Sequence, residues 1–271
     1  MRIGVVATGG TLDRAVVEPV RAAAAALDPA IRIDFHEQCF KSHGHFAGSD
    51  DEREDAFVAY ANDDVHDAVW FGRGGYGTCR IAERAVARLE ARARGKLYLG
   101  YSDAGCLLAG LYKEGFEGAA HGPMPGDVLT KGIEPVARAL RWLARRDPAA
   151  LEPSLGRSPP AVAFNMVVFS QLLGTPLEPD LAGHVLMLEE VDEPMYRIDR
   201  TLFHITSQAS IRGVAGIRLG RCDPIVPNRP DFRAGAEEVA RFWCDRAGIR
   251  WLGRADIGHD SANKVVPFGR R

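Results

Sequence analysis

The chain has 271 residues, 46% of them hydrophobic and 26% charged, the proportions of an ordinary globular protein with one large or two modest domains. A net charge of −2 and a pI near 6.5 give no electrostatic reason for nucleic acid or an anionic membrane as partner. The five cysteines are scattered without Cys-x-x-Cys spacing, the usage of a reducing compartment, and no ligand cluster stands at zinc spacing.

Residues 3–7 read as a buried parallel strand, followed by the loop Thr8-Gly-Gly-Thr11. This start lacks the apolar length and cleavage site of a secretory signal, and no apolar run reaches membrane-spanning length, so the cytoplasm is expected. An alanine-rich helix over 14–27 is closed by Asp28-Pro29, and residues 31–35 form a second strand. The stretch 39–49 holds His43 and His45, half of a metal site without partners at zinc spacing, and reads as a loop. Ser49 caps a charged helix over 50–62, with acidic residues in its first turn where the dipole favours them. A third strand over 65–71 runs into Gly72-Arg-Gly-Gly-Tyr-Gly77, and a helix over 78–94 follows, its Arg-rich face expected in solvent.

The apolar run Leu97-Tyr-Leu99 then stops at Gly100, with Ser102 at the turn and a helix-compatible stretch over 106–112. Strand, tight turn with serine, then helix is the layout of a nucleophile elbow. It lifts the hydroxyl off the strand end and aims the first, unpaired amides of the helix at the same spot. The literal motif is Gly-x-Ser-x-Ala-Gly, and a serine at such a turn also serves simply as a helix cap.

Strands and helices alternate through this half, which predicts an α/β domain with a mainly parallel sheet. Ligands gather at the carboxyl ends of such strands, where Gly72–Gly77, Ser102 and His121 all fall. A helix over 132–146 precedes a proline-rich linker, 147–160, and a smaller C-terminal α/β domain over 161–271. In that half residues 184–188 form a strand ending in Glu189-Glu190, and 200–210 look helical. Residues 214–219 form a strand, 234–247 a helix and 249–252 a short strand leading to Gly258-His259-Asp260.

Gly72-x-Gly74-x-x-Gly77 matches the dinucleotide fingerprint, but at the third strand, with only Asp103 as its acidic residue. A turn so rich in glycine can instead bring backbone N–H groups close to a reacting carbonyl. A nucleophilic serine needs a base, and the base an orienting carboxylate. His121 and His259 are the histidines in post-strand loops; His36, His66, His184 and His204 have no supporting pattern. Glu189 ends an all-apolar strand and needs a partner there, while Glu190 points to the opposite face, so only one of them can share a site with Ser102.

Gly72-Arg-Gly-Gly-Tyr-Gly-Thr-Cys-Arg80, Gly100-Tyr-Ser-Asp103 and His121-Gly-Pro-Met124 strongly resemble the LD-carboxypeptidases, the muramoyltetrapeptide carboxypeptidase group of serine peptidases. So do Ala47-Gly-Ser-Asp-Asp-Glu-Arg53, Leu173-Gly-Thr-Pro176, Leu188-Glu-Glu-Val-Asp-Glu-Pro194 with Tyr196-Arg-Ile-Asp-Arg200, and Gly258-His259 with Asn263 and Pro267-Phe-Gly269. The resemblance covers nearly the whole chain. It implies Ser102 as nucleophile, His259 as base and Glu189 as its orienting acid, with an oxyanion hole from the amides of Asp103 and Gly75. It implies two domains, the serine in the first and the Glu and His in the second, and a homodimer without metal or cofactor. The implied reaction releases a terminal D-amino acid, D-Ala, from murein tetrapeptides in cell-wall recycling. A branch of the same family hydrolyses a peptide-nucleotide antibiotic for self-immunity. A different class of function, a non-catalytic nucleotide or peptide-binding module on the Gly-rich loop, is the third reading. The chain departs from the family at Ala163-Phe164, where Gly-Gly is common, and at Ala104-Gly105, where a β-branched residue and Thr are common.

Overall fold

The computed structural model describes residues 1–156 and 159–269; part of the expected linker, 157–158, lies outside them. In chain order the N-terminal half runs β1 (Arg2–Val6), α1 (Val17–Leu27), β2 (Arg32–Phe35), α2 (Asp50–Asn62), β3 (Ala68–Phe71), α3 (Ala82–Ala87), β4 (Leu97–Gly100), α4 (Gly105–Lys113), β5 (Ala119–His121), α5 (Asp127–Lys131) and α6 (Ile133–Arg145). Its strands lie in the order β5-β4-β3-β1-β2, all parallel. Every residue of β3 is buried, as a strand covered by helices on both faces requires. α1 packs with α6 on one side, and α2, α3 and α4 pack in sequence on the other.

The C-terminal half runs β6 (Ala161–Asn165), α7 (Met166–Leu172), β7 (Val185–Glu190), β8 (Glu193–Pro194), α8 (Met195–Ser207), β9 (Gly216–Cys222), β10 (Ile225–Val226), α9 (Ala236–Ala247), β11 (Trp251–Arg254) and β12 (Val266–Pro267). Its four-stranded sheet is parallel, in the order β11-β9-β7-β6. β12 does not join it. It returns to the N-terminal sheet, antiparallel to β5, with Val266 opposite His121. Beyond it, Gly269 and Ala161 exchange backbone hydrogen bonds of 3.0 and 3.1 Å, so this segment ties the edge of one sheet to the edge of the other.

The expected helix over 78–94 is broken. Only Ala82–Ala87 is α-helical, with 3-10 turns at Thr78–Arg80 and Ala91–Gly95. Its arginines are not merely solvated: Arg84 and Arg88 bond Glu54 of α2 at 2.7 Å each, and also reach Asp51 and Asp55. These cross-helix pairs fix the short helix where its own periodicity does not. The helix expected over 200–210 starts earlier, at Met195, directly after Pro194, which lacks the N–H that a helix start leaves unused.

α4 is buried from Gly105 to Leu111 because it is sandwiched between its own sheet and α7. There the two departures from the family pattern meet. A Cβ on Gly105 would lie 3.3 Å from the Phe164 ring, so the missing side chain makes room for the larger one. Phe164 fills that space against Phe169 and Phe268, with ring centroids 5.0 and 5.1 Å away. A larger residue at 105 would have to displace the Phe164 ring, as a close-packed core demands.

Candidate active site

β4 delivers Ser102 to the carboxyl edge of the N-terminal sheet. The residue stands at φ +58°, the left-handed region, and a 3-10 turn, Ser102–Ala104, carries the chain into α4. For a serine that conformation costs about 1–2 kcal/mol, and it persists because α4 and the buried Tyr101 on either side hold the turn.

The Gly-rich loop after β3 lies directly against the hydroxyl. A Cβ on Gly74 would sit 2.9 Å from Ser102 Oγ, so only glycine fits, and Gly75 at φ +108° again needs a residue without Cβ. The loop is braced from behind. Fully buried Arg53 donates to the carbonyls of Thr8 and Gly77, the latter at 2.9 Å. The Asp103 carboxylate accepts the Thr78 N–H at 2.9 Å, while its burial pushes the carboxyl above the ordinary range. Among the described residues, the N–H groups of Gly75 and Asp103 donate to no acceptor within the chain.

The C-terminal domain brings the other two residues. The register between β7 and β9 slips between Leu188 and Glu190, and Glu189 faces Gly220 there, where a Cβ would meet its own Cβ at 2.8 Å. Fully buried Glu189 places Oε2 2.5 Å from His259 Nδ1, while its other oxygen has no hydrogen-bond partner. Burial pulls the His259 pKa down, but the charge and hydrogen bond of Glu189 together outweigh it, leaving the imidazole more basic than usual. Glu190 faces away, accepting from Asn165 Nδ2 at 2.7 Å and from the Val167 and Val191 amides. Burial lifts its carboxyl to about 7 against the pull of those donors.

Ser102, Gly74, Gly75 and His259 line one open cleft of about 290 Å³. No hydrogen bond joins Ser102 to His259; catalytic contacts of this kind often tighten only in the complex with substrate. His121 is in a different position. It is buried and its pKa is lowered by desolvation to about 4, so it is neutral, and its Nε2 lies 3.1 Å from Asn263 Oδ1. The same oxygen accepts the Gly258 N–H at 3.2 Å, so His121 braces the loop that carries His259. The Tyr101 ring packs against both histidines, with centroids 4.8 Å from His259 and 5.6 Å from His121. Its hydroxyl donates to Asp127 Oδ1 at 2.8 Å and accepts from Lys131. Asp127 and Lys131 are not legible as site residues, since nothing in their spacing relates α5 to the elbow; Tyr101 lies within the elbow motif, but its partners do not.

His43 lies in an isolated backbone bridge to Phe46, and His45 packs edge-on against the Phe46 ring. No three His, Cys, Asp or Glu side chains gather at metal-holding distance among the described residues. His184 and His204 have structural partners, Tyr112 at 2.7 Å and Ser170 at 2.8 Å. No helix among the described residues is long and apolar enough to cross a membrane.

The fold is shared with solved structures. The muramoyltetrapeptide carboxypeptidase from Oxalobacter formigenes superposes with a TM-score of 0.79 at 22% identity, covering 98% of this chain and 93% of that one. The Microcin C7 self immunity protein MccF gives a TM-score of 0.79 at 15% identity, over 99% and 91% of the two chains. By sequence, the chain is 30% identical over 246 residues to a probable murein peptide carboxypeptidase of Bacillus subtilis (strain 168), spanning 84% of this chain and 75% of that protein. Residues 3–122 match the model of the LD-carboxypeptidase N-terminal domain and 160–271 that of the C-terminal domain. The serine turn lies in the first of these and the Glu–His pair in the second, and with both matched the chain belongs to the LD-carboxypeptidase family.

Proposed function

We propose that the protein is a serine-type LD-carboxypeptidase that releases D-Ala from murein tetrapeptides, with Ser102, His259 and Glu189 as its triad. The observation that carries this reading is the Glu189–His259 pair, delivered from one domain to the cleft where the other domain holds Ser102 in a left-handed turn. The His259 Nδ1–H donates to Glu189, which leaves Nε2 free to take the Ser102 proton as the oxygen attacks the scissile carbonyl. The Gly75 and Asp103 amides receive the tetrahedral oxyanion. His259 then protonates the departing amine, and water admitted by the same base releases the acyl group from Ser102.

The basicity of His259 fixes a pH dependence. A general base works unprotonated, so kcat/KM rises with pH along a limb set by that imidazole, above the ordinary histidine value of 6.5. Glu189→Gln removes the charge that raises the pKa and should move the limb to lower pH while slowing the reaction. A limb unmoved by that substitution would assign it to another group. No step calls on a metal, so activity should survive exhaustive chelation; loss with EDTA and recovery with zinc would reopen His43, His45 and His121 as ligands.

The deciding experiment is product analysis. Incubation with murein tetrapeptide should yield free D-Ala and the tripeptide, and a serine-directed fluorophosphonate should label Ser102. Labelling without tetrapeptide cleavage would redirect the search to peptide-nucleotide substrates, and neither result would leave a binding module. We also propose a homodimer, as the resemblance implies, for which sedimentation should give twice the chain mass of 29.5 kDa.

A further inference from the structure

We propose that Arg73 anchors the C-terminal carboxylate of the peptide, which makes it the residue that registers the chain end; this rests on the carboxypeptidase reading above. An enzyme that removes one terminal residue must recognise where the chain stops. The mark is a carboxylate two bonds beyond the scissile nitrogen, so its partner must be a cation within one side chain's reach of the nucleophile.

The cleft offers few candidates. His259 is engaged by Glu189, and Lys131 is engaged by Asp127 at 2.8 Å and by the Tyr101 hydroxyl. Arg73 also lines the cleft, and among the described residues it joins no ion pair. Its polar contact is one bond from Nη1 to the Thr11 carbonyl, at 3.1 Å, which leaves most of the five guanidinium N–H groups unused. The acids on the same wall are occupied: Asp13 accepts the Ala15 N–H at 2.8 Å, and Asp127 holds Lys131.

Position agrees with this role. Arg73 directly precedes Gly74, whose backbone lies against Ser102 Oγ, and consecutive Cα atoms are about 3.8 Å apart. The side chain runs in a slot walled by glycine backbone. A Cβ on Gly126 would lie 3.2 Å from the Arg73 Cβ, and one on Gly10 3.5 Å from its guanidinium carbon. A planar fork steadied at Nη1 by the Thr11 carbonyl, on an exposed side chain that lines the cleft, suits two-point binding of a carboxylate. Through Arg73 and Gly75, one loop then holds the leaving residue's end and the developing oxyanion.

The test compares wild type, Arg73→Gln and Arg73→Lys on two substrates, the murein tetrapeptide and the same peptide with a C-terminal amide. Wild type should prefer the free acid by about 10–100-fold in kcat/KM, the worth of a charge-assisted pair. Arg73→Gln should lose that factor on the acid, so that the acid-to-amide ratio falls towards one. Arg73→Lys should keep part of it, as a point charge without the fork, and supplies the same ratio if the Gln variant does not fold. Equal losses on both substrates would make Arg73 a support for the Thr11 loop and overturn the anchor. Wild type cleaving acid and amide alike would overturn it too, with the peptidase reading intact. Wild type cleaving neither would remove the carboxypeptidase reading and the anchor together.

Discussion

Ser102→Ala is expected to lower kcat/KM by about 10⁴ or more while the protein still folds and melts as before. The hydroxyl makes no bond on which the turn depends; among the described residues it has no hydrogen-bond partner in the fold. Alanine also carries a Cβ, so it meets the same left-handed penalty at φ +58° and should change stability little. Ser102→Gly provides the contrast. It should be equally inactive but more stable, by up to about 1 kcal/mol, because glycine adopts that conformation without strain. Calorimetry of the two variants beside an activity assay checks both. Turnover near wild type in Ser102→Ala would rule out the acyl-enzyme route.

His259→Ala and His121→Ala should separate the base from its brace. The first removes the proposed general base and should reduce the rate by about 10³ or more. The second deletes a neutral, buried ring whose partner, Asn263, retains its bond to the Gly258 N–H. Its effect should be mainly on stability, about 1–3 kcal/mol for the lost hydrogen bond and the cavity left by the buried ring, with a much smaller loss of rate. Parallel assays on one peptide, with melts of each variant, give the ranking. The reverse order would transfer the base to His121 and leave the Glu189–His259 pair as a structural ion pair.

The choice between these histidines shows what a sequence can carry. The Ser102 turn was legible because strand, Gly, serine and helix are contiguous, and local geometry follows from local order. Glu189 could be set apart from Glu190 because strand side chains alternate faces, and the structure sends them to His259 and Asn165 respectively. No periodicity relates residue 259 to residue 102, so the residues alone left both histidines open and only the family resemblance ranked them. The break in the helix over 78–94 was hidden for a similar reason: the pairs that shape it come from α2. So was the contact between Gly105 and Phe164, which are neighbours only once the two domains touch.

The return of residues 265–269 to the N-terminal sheet bears on when the molecule becomes complete. Proteins are made from the N-terminus, and the strands from β1 to β5 can fold as they leave the ribosome. Yet the free edge of β5 stays open until β12 has been made. Glu189, His259 and the strand that closes the sheet all emerge after Ser102, and His259 and β12 come almost together. Ser102 is therefore synthesised with its glycine loop well before the proposed base. On the proposed triad, the site would be assembled only once the segment that joins the two sheets has emerged.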